Sequence, residues 1–312
     1  MKRLFKKMTV ALFCGAMVLG GCNADTTTDP LAKDDEALRV MTFNLKAKAS
    51  IDPNKQAEWV ASYAPDIVAA QEVDRFTQRN DLDVPATFAE GGNFTDYFFS
   101  EQMEFQGGEY GLAIFSSTKL SDNETINIYS DDYLEDDALR QRQRELFANM
   151  SDADPQTSAD YDAFCEELAS IGKTSIEPNI IQKTVVEKDG KKVSVYGVHL
   201  SYEMEAIRAK QREQLLQLIE EDENDYFVIV GDFNADQGTC EMNDFVTNEK
   251  FNLANGADGV WHDTFPIGDD ENMKTYSIDN IITSSNIEIT NVNYVKTDLS
   301  DHTMMYADLI LK

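Results

Sequence analysis

The 312-residue chain carries 57 acidic against 27 basic side chains, a formal charge of −30 near pH 7, and 42% of its residues are apolar. A field of that size and single sign repels polyanions over a Debye length of about 8–10 Å, which disfavours generic binding of duplex nucleic acid through a basic face. The apolar content excludes a disordered chain, and the length suits one large domain behind a short N-terminal leader.

Lys2, Arg3, Lys6 and Lys7 precede an uncharged run, 8–21, that ends at Cys22. This is the layout of an export signal over 1–21. The tail Leu19-Gly20-Gly21-Cys22 resembles the lipobox of bacterial lipoproteins, which implies a lipidated Cys22 as the first mature residue and a membrane partner. Losing 1–21 removes four basic residues and no acidic one, so the exported chain is more acidic still. Residues 22–36 read as a polar tether and 37–312 as the folded domain, expected to be a monomer.

Within that domain, residues 38–43 read as a strand and 53–63 as an amphipathic helix, with Pro53 suited to its first turn. Short apolar runs at 67–70, 97–99 and 112–115 read as further strands. Residues 130–174 break the rhythm: twelve acidic and four basic side chains in a helix-compatible stretch mark an insertion. Strands 180–186 and 192–198 flank Lys188-Asp189-Gly190-Lys191, where Asp-Gly favours a tight hairpin. A helix over 204–221, with Ile207, Leu215, Leu218 and Ile219 on one period, leads to a buried strand at 226–230, and the last strands are expected at 277–283, 287–294 and 304–311. Mixed strands, helices and a hairpin point to an α+β or layered sandwich. Cys14 leaves with the signal, and the remaining Cys165 and Cys240 allow either a disulfide or two free thiols.

Candidate chemistry gathers where these strands end. Asn44 closes the first, Gln71-Glu72 the second and His199 the hairpin, while Asp232 and Asn234 follow Val228-Ile229-Val230-Gly231 and Asp301-His302 precede the final strand. Carboxylates and amides suit Mg²⁺, whereas three scattered histidines without a Cys pair argue against zinc. Phosphoester hydrolysis needs a hard cation, an oriented water and a proton source, all of which this set could supply.

The ordered motifs Val40-Met41-Thr42-Phe43-Asn44, Gln71-Glu72-Val73-Asp74, Gly197-Val198-His199-Leu200, Gly231-Asp232-Phe233-Asn234-Ala235, Ile278-Asp279-Asn280-Ile281 and Ser300-Asp301-His302 resemble those of the endonuclease/exonuclease/phosphatase superfamily. That resemblance implies a four-layer α/β/β/α sandwich and metal-dependent phosphoester hydrolysis. Carried over by position, Glu72 binds Mg²⁺, with Mn²⁺ as an alternative, and Asn44 and Asp301 lie beside it either as additional ligands or as groups that orient the ligands. Asp232 orients the attacking water, Asn234 holds a phosphate oxygen, and His302 acts as base or stabiliser behind which Asp279 stands. His199 faces the phosphate from the other side as an acid or phosphate donor, with Glu109 where deoxyribonuclease-type members pair a carboxylate with that histidine. Arg79 is either a phosphate contact or half of a surface ion pair.

Several positions depart from relatives: Lys46 replaces the second acid of abasic-site endonucleases, and Asp236 a basic residue of 5-phosphatases. Leu112 replaces an Asn, and Asn179 stands where an Arg often follows Glu-Pro. The favoured reading is an extracytoplasmic Mg²⁺-dependent phosphodiesterase or phosphatase acting on a small phosphoester or lipid headgroup. A secreted nuclease of the same mechanism and a non-catalytic lipid-anchored binding protein are the alternatives.

Overall fold

The computed structural model describes residues 30–312 except 49, 131–133, 257–258 and 267–274, so the expected signal segment and Cys22 lie outside the described residues. Its frame is two six-stranded mixed sheets. From edge to edge the first runs β11 (Ile287–Val295), β12 (Met304–Leu311), β1 (Leu38–Asn44), β2 (Ile67–Arg75), β4 (Gly108–Ser116) and β3 (Asp96–Phe105). The second runs β5 (Ser121–Ile128), β6 (Asn179–Lys188), β7 (Lys191–His199), β8 (Tyr226–Asp232), β10 (Asp279–Ser284) and β9 (Phe251–Leu253). The β6–β7 turn is the hairpin expected, with Asp189 and Gly190 both at positive φ (53° and 76°), the geometry that Asp-Gly tolerates.

Strand alternation explains the layering. Val40, Ile67 and Ile114 of the first sheet face Val193, Val195, Val228 and Ile281 of the second across a shared core. The intervening residues point outward but are also covered: Met41, Phe43 and Val68 pack under α1 (Pro53–Ala61) and α2 (Val84–Gly91). Tyr196, Val198 and Ile229 likewise meet Leu215 of α5 (Glu205–Glu220) and Phe245 of α6 (Cys240–Thr247). Strands buried on both faces read as unbroken apolar runs, which is why the sequence displays them so clearly. The four-layer α+β sandwich is thus present.

The 130–174 segment folds as α3 (Asp137–Ala148) and α4 (Pro155–Ser170), each begun by an Asp that caps its first free N–H groups. It is docked rather than detached. Phe147 packs with Met103, Phe105 and Tyr110, and the carbonyls of Phe147 and Ala148 accept from the Gln106 and Gly107 amides of the β3–β4 turn at 3.1 and 2.8 Å. Cys165 and Cys240 are both free thiols, so no disulfide ties this segment to the loop after Asp232. No helix among the described residues is long and apolar enough to cross a membrane.

Candidate active site

Register builds the site. Parallel pairing of β7 with β8 sets His199 beside Asp232, and antiparallel pairing of β8 with β10 sets Asp279 on its other side, so three candidate residues form one row across the second sheet. The row needs close backbone approach at Gly231, whose φ is +149° and where a Cβ would sit 2.0 Å from the Val198 carbonyl oxygen. No side chain fits there.

The first sheet faces this row with Asn44 at the end of β1 and Glu72 in β2. Glu72 lies in an irregularity of the β2–β4 ladder between Ala70 and Val73, and its φ of +54° is strained for a glutamate. Lys46 and Asn234 share that left-handed conformation at 49° and 48°. Left-handed non-glycine residues recur in turns elsewhere along the chain, and at Glu72 the conformation goes with the ladder irregularity that sets its carboxylate apart from the regular pleat. The β11–β12 connection supplies Asp301 and His302, pinned because Ser300 Oγ donates to the Asn44 carbonyl (2.7 Å) and accepts from the His302 amide (3.1 Å).

At the centre lies Asp232, buried, with Oδ2 3.8 Å from His199 Nε2 and 3.9 Å from His302 Nε2. These gaps are too long for hydrogen bonds and leave room for a bridging oxygen. His302 Nδ1 is 2.9 Å from Asp279 Oδ2, which fixes its ring. Burial opposes a charge on His302, yet the adjoining Asp279, then Asp232 and Glu72, raise its pKa to about 10. Burial and the neighbouring Asp279 carboxylate push Asp232 up to about 6 against the pull of both histidines. Asn44 Nδ2 donates to Glu72 Oε1 at 3.0 Å and lies 3.5 Å from Asp232 Oδ2, linking the two sheets. Asn234 turns its amide N–H onto Asp232 Oδ1 (2.8 Å) and its side-chain Nδ2 onto the Leu200 carbonyl (2.8 Å). One of its two side-chain N–H bonds is therefore committed to the backbone.

Not every expected residue joins this centre as foreseen. Glu109 does not reach His199: antiparallel register places it opposite Arg75, whose guanidinium takes the carboxylate, and His199 Nδ1 is buried without a partner. Asp301 is close by but its Oδ2 forms a 2.5 Å ion pair with Lys46 Nζ. Arg79 is held by two bonds to Asp74 (2.8 and 2.9 Å) and lies over the Phe105 and Tyr110 rings. His262 stacks on Tyr294 and stands apart.

Two carboxylates were missed. Glu177 precedes β6, whose start lies beside the end of β7, and burial together with Glu72 raises it to about 7 against the influence of His199. Its amide donates to Glu203 Oε2 at 3.1 Å, and burial with the adjacent Glu177 lifts Glu203 to about 8. Glu177-Pro178 before a strand paired to the His199 strand was the available signal.

The sequence model described as the Endonuclease/Exonuclease/phosphatase family matches residues 41–302, from the second residue of the first motif above to the end of the last. The chain belongs to this family. Solved structures agree in fold. Endonuclease/exonuclease/phosphatase proteins from Beutenbergia cavernae and Bacteroides vulgatus each superpose with a TM-score of 0.62 at 17% identity, covering 88% of this chain and 72% and 99% of theirs. A mannosyl-6-phosphatase from Bacteroides thetaiotaomicron superposes with a TM-score of 0.55 at 14% identity, over 88% of this chain and all of the other. No curated protein matches the chain. Members of the family are phosphoester hydrolases that typically depend on a divalent metal.

The donor set fits such an ion. Asp232, Asp279 and His302 converge within 4.8 Å of one another, but a protonated His302 has no lone pair to offer a cation, so this trio suits proton handling and the ion falls to the oxygen donors beside it. A water-sized cavity of about 10 Å³ opens beside Glu72, Asp74 and Lys46. Oxygen donors on Glu72, Asn44 and Asp301 suit Mg²⁺ or Mn²⁺, provided Lys46 yields Asp301 and the Asn44 oxygen turns from the Lys46 amide that it now accepts.

Proposed function

We propose that the protein is a divalent-metal-dependent phosphodiesterase or phosphatase that acts outside the cytoplasm on a small phosphoester or lipid headgroup, anchored through a lipidated Cys22. The observation that carries the chemistry is Asp232 Oδ2 set between two imidazole Nε2 atoms at 3.8 and 3.9 Å, one of them backed by Asp279. Mg²⁺ held by Glu72, Asn44 and Asp301 would neutralise phosphoryl charge.

The protein's own groups supply the rest. A water hydrogen-bonded to Asp232 gives up a proton to that carboxylate while its oxygen forms the new P–O bond. His302, protonated and fixed by Asp279, donates to a phosphoryl oxygen as negative charge builds there. The ester P–O bond breaks as the leaving oxygen takes a proton from His199 Nε2, the role of general acid that this reading gives to that residue. The strongly acidic surface favours compact substrates over duplexes.

The test is hydrolysis of bis(p-nitrophenyl) phosphate, p-nitrophenyl phosphate and duplex DNA by the full-length protein with Mg²⁺ or with excess chelator. Turnover of a small ester that vanishes with chelator is expected. Undiminished turnover in chelator, or duplex cleavage faster than small-ester cleavage, would reject the reading.

A further inference from the structure

The two imidazoles beside Asp232 are held by different means. His302 is fixed through its ring, with Asp279 Oδ2 2.9 Å from Nδ1. His199 is as well buried, yet among the described residues its Nδ1 has no hydrogen-bond partner, and its Nε2 stands 3.8 Å from Asp232. The place of this ring therefore depends on its packing and on the backbone that carries it.

That backbone leaves its sheet at this point. β7 ends at His199, and on the β6 side the last pair of the ladder is Ile181 with Val198. Side chains take over beyond it. Asn179 Nδ2 donates to the His199 carbonyl (3.3 Å), Asn234 Nδ2 to the Leu200 carbonyl (2.8 Å) and Arg208 Nη1 to the Ser201 carbonyl (3.0 Å). The Ser201 amide donates to Gln211 Oε1 at 2.9 Å.

Gln211, fully buried on α5, sets the direction of this network. A peptide N–H can only donate and a carbonyl can only accept, so the Ser201 amide requires Oε1 of Gln211 and the Tyr129 carbonyl, 2.7 Å away, requires Nε2. Nε2 also donates to Asn179 Oδ1 at 3.0 Å, which turns the Asn179 amide so that its Nδ2 faces the His199 carbonyl. Two backbone groups thus fix the orientation of both amides, and because both are buried, bulk water does not compete for the bonds. Arginine carries no acceptor and could not receive Gln211 at this position, which gives the departure at Asn179 a physical meaning. We infer that Asn179 and Gln211 are positioning residues that together set where His199 stands against the leaving oxygen.

The inference rests on the general-acid reading of His199. Proton transfer needs heavy atoms about 2.6–3.2 Å apart, and a displacement of about 1 Å can cost about 10²-fold in rate. Gln211→Met and Asn179→Ala in the full-length protein remove the two amides separately, so that one remains informative if the other does not fold. Each is compared with wild type on methyl p-nitrophenyl phosphate and methyl phenyl phosphate at saturating Mg²⁺, because nitrophenolate departs with little help from an acid whereas phenolate needs its proton. In both variants kcat should fall about 10–100-fold more on the phenyl ester than on the nitrophenyl ester, with KM changed by about twofold or less. A merely structural defect would lower both rates alike. His199→Ala should show the same selectivity, and adding Asn179→Ala to it should increase that selectivity no further. The chain has three histidines, and their ¹³Cε1 NMR resonances supply a readout independent of turnover. That of His199 should shift or broaden in both variants while those of His262 and His302 hold. Equal losses on the two esters in the variants, or an unmoved His199 resonance, would overturn the inference. Absence of selectivity in His199→Ala, or no turnover by wild type, would instead reject the catalytic reading, and the His199 resonance alone would then decide whether the two amides position it.

Discussion

Replacing Glu203 by Gln should make the protein more resistant to alkaline destabilisation. Glu203 is half-buried, accepts the Glu177 amide at 3.1 Å, and titrates at about 8, well above its ordinary 4.5, because burial and the Glu177 carboxylate disfavour its charge. In the unfolded chain it ionises near 4.5, so between the two values the folded state holds a proton that the unfolded state has lost. Stability from this group is therefore full below about pH 4.5 and declines as pH rises through 8. At 1.36 kcal/mol per pKa unit, the full shift corresponds to about 4–5 kcal/mol, and partial solvent exposure reduces this to about 1–3 kcal/mol. Glutamine keeps the acceptor without the charge. At about 2 °C per kcal/mol for a chain of this size, Glu203→Gln should melt about 2–6 °C above wild type at pH 9 and within error of it at pH 5. Thermal denaturation from pH 5 to 9, in chelator so that no cation masks the carboxylates, decides this. Parallel pH profiles for the two proteins would refute the assignment.

Other expectations follow from the same geometry. His302→Ala should lower kcat on a small phosphodiester by about 10²–10⁴-fold, and Asp279→Asn by about 10–100-fold, with KM little changed. Steady-state kinetics checks both, and a wild-type kcat in His302→Ala would show that the histidine does not act on the reaction. Lys46→Met removes the ammonium 2.5 Å from Asp301 Oδ2 and should tighten Mg²⁺ binding about tenfold by calorimetry. Weaker binding would place the ion elsewhere. Phe147→Ala should cost about 3–5 kcal/mol and raise hydrogen exchange at the Gln106 and Gly107 amides, because that ring anchors α3 to β3 and β4. Unchanged protection at those amides would mean that α3 is not held there.

The legible parts of the sequence were those whose physical signal is local. Strands such as β8 and β12, buried on both faces, stand out as apolar runs, and Asp189-Gly190 marks its hairpin by conformational preference alone. The motif residues Asn44, Glu72, His199, Asp232 and His302 could be placed at or beside strand ends and Asp279 within a late strand, and register then sets His199, Asp232 and Asp279 in one row. β5 was not foreseen because it is a sheet edge exposed along most of its length, with Ser, Asp, Asn, Glu and Thr in place of an alternating pattern. α2 and α6 escaped because each has only eight residues. The partner of Glu109 depended on which residue stands across β2, a long-range property that strand pattern does not encode, and it proved to be Arg75. Glu177-Pro178 was visible as a family-like pair but Glu203 belongs to no motif, and the raised pKa values of both come from burial and from neighbouring carboxylates, neither readable before the chain is folded.

The central claim is that Asp232, poised between His199 and His302, handles the proton of the attacking water. Single-turnover hydrolysis of bis(p-nitrophenyl) phosphate by wild type and Asp232→Asn at saturating Mg²⁺ tests it most directly. The account predicts a rate lower by about 10²–10⁴-fold in the variant, with melting temperature and Mg²⁺ affinity close to wild type. A variant that hydrolyses the ester at the wild-type rate, with its fold and metal binding intact, would contradict it.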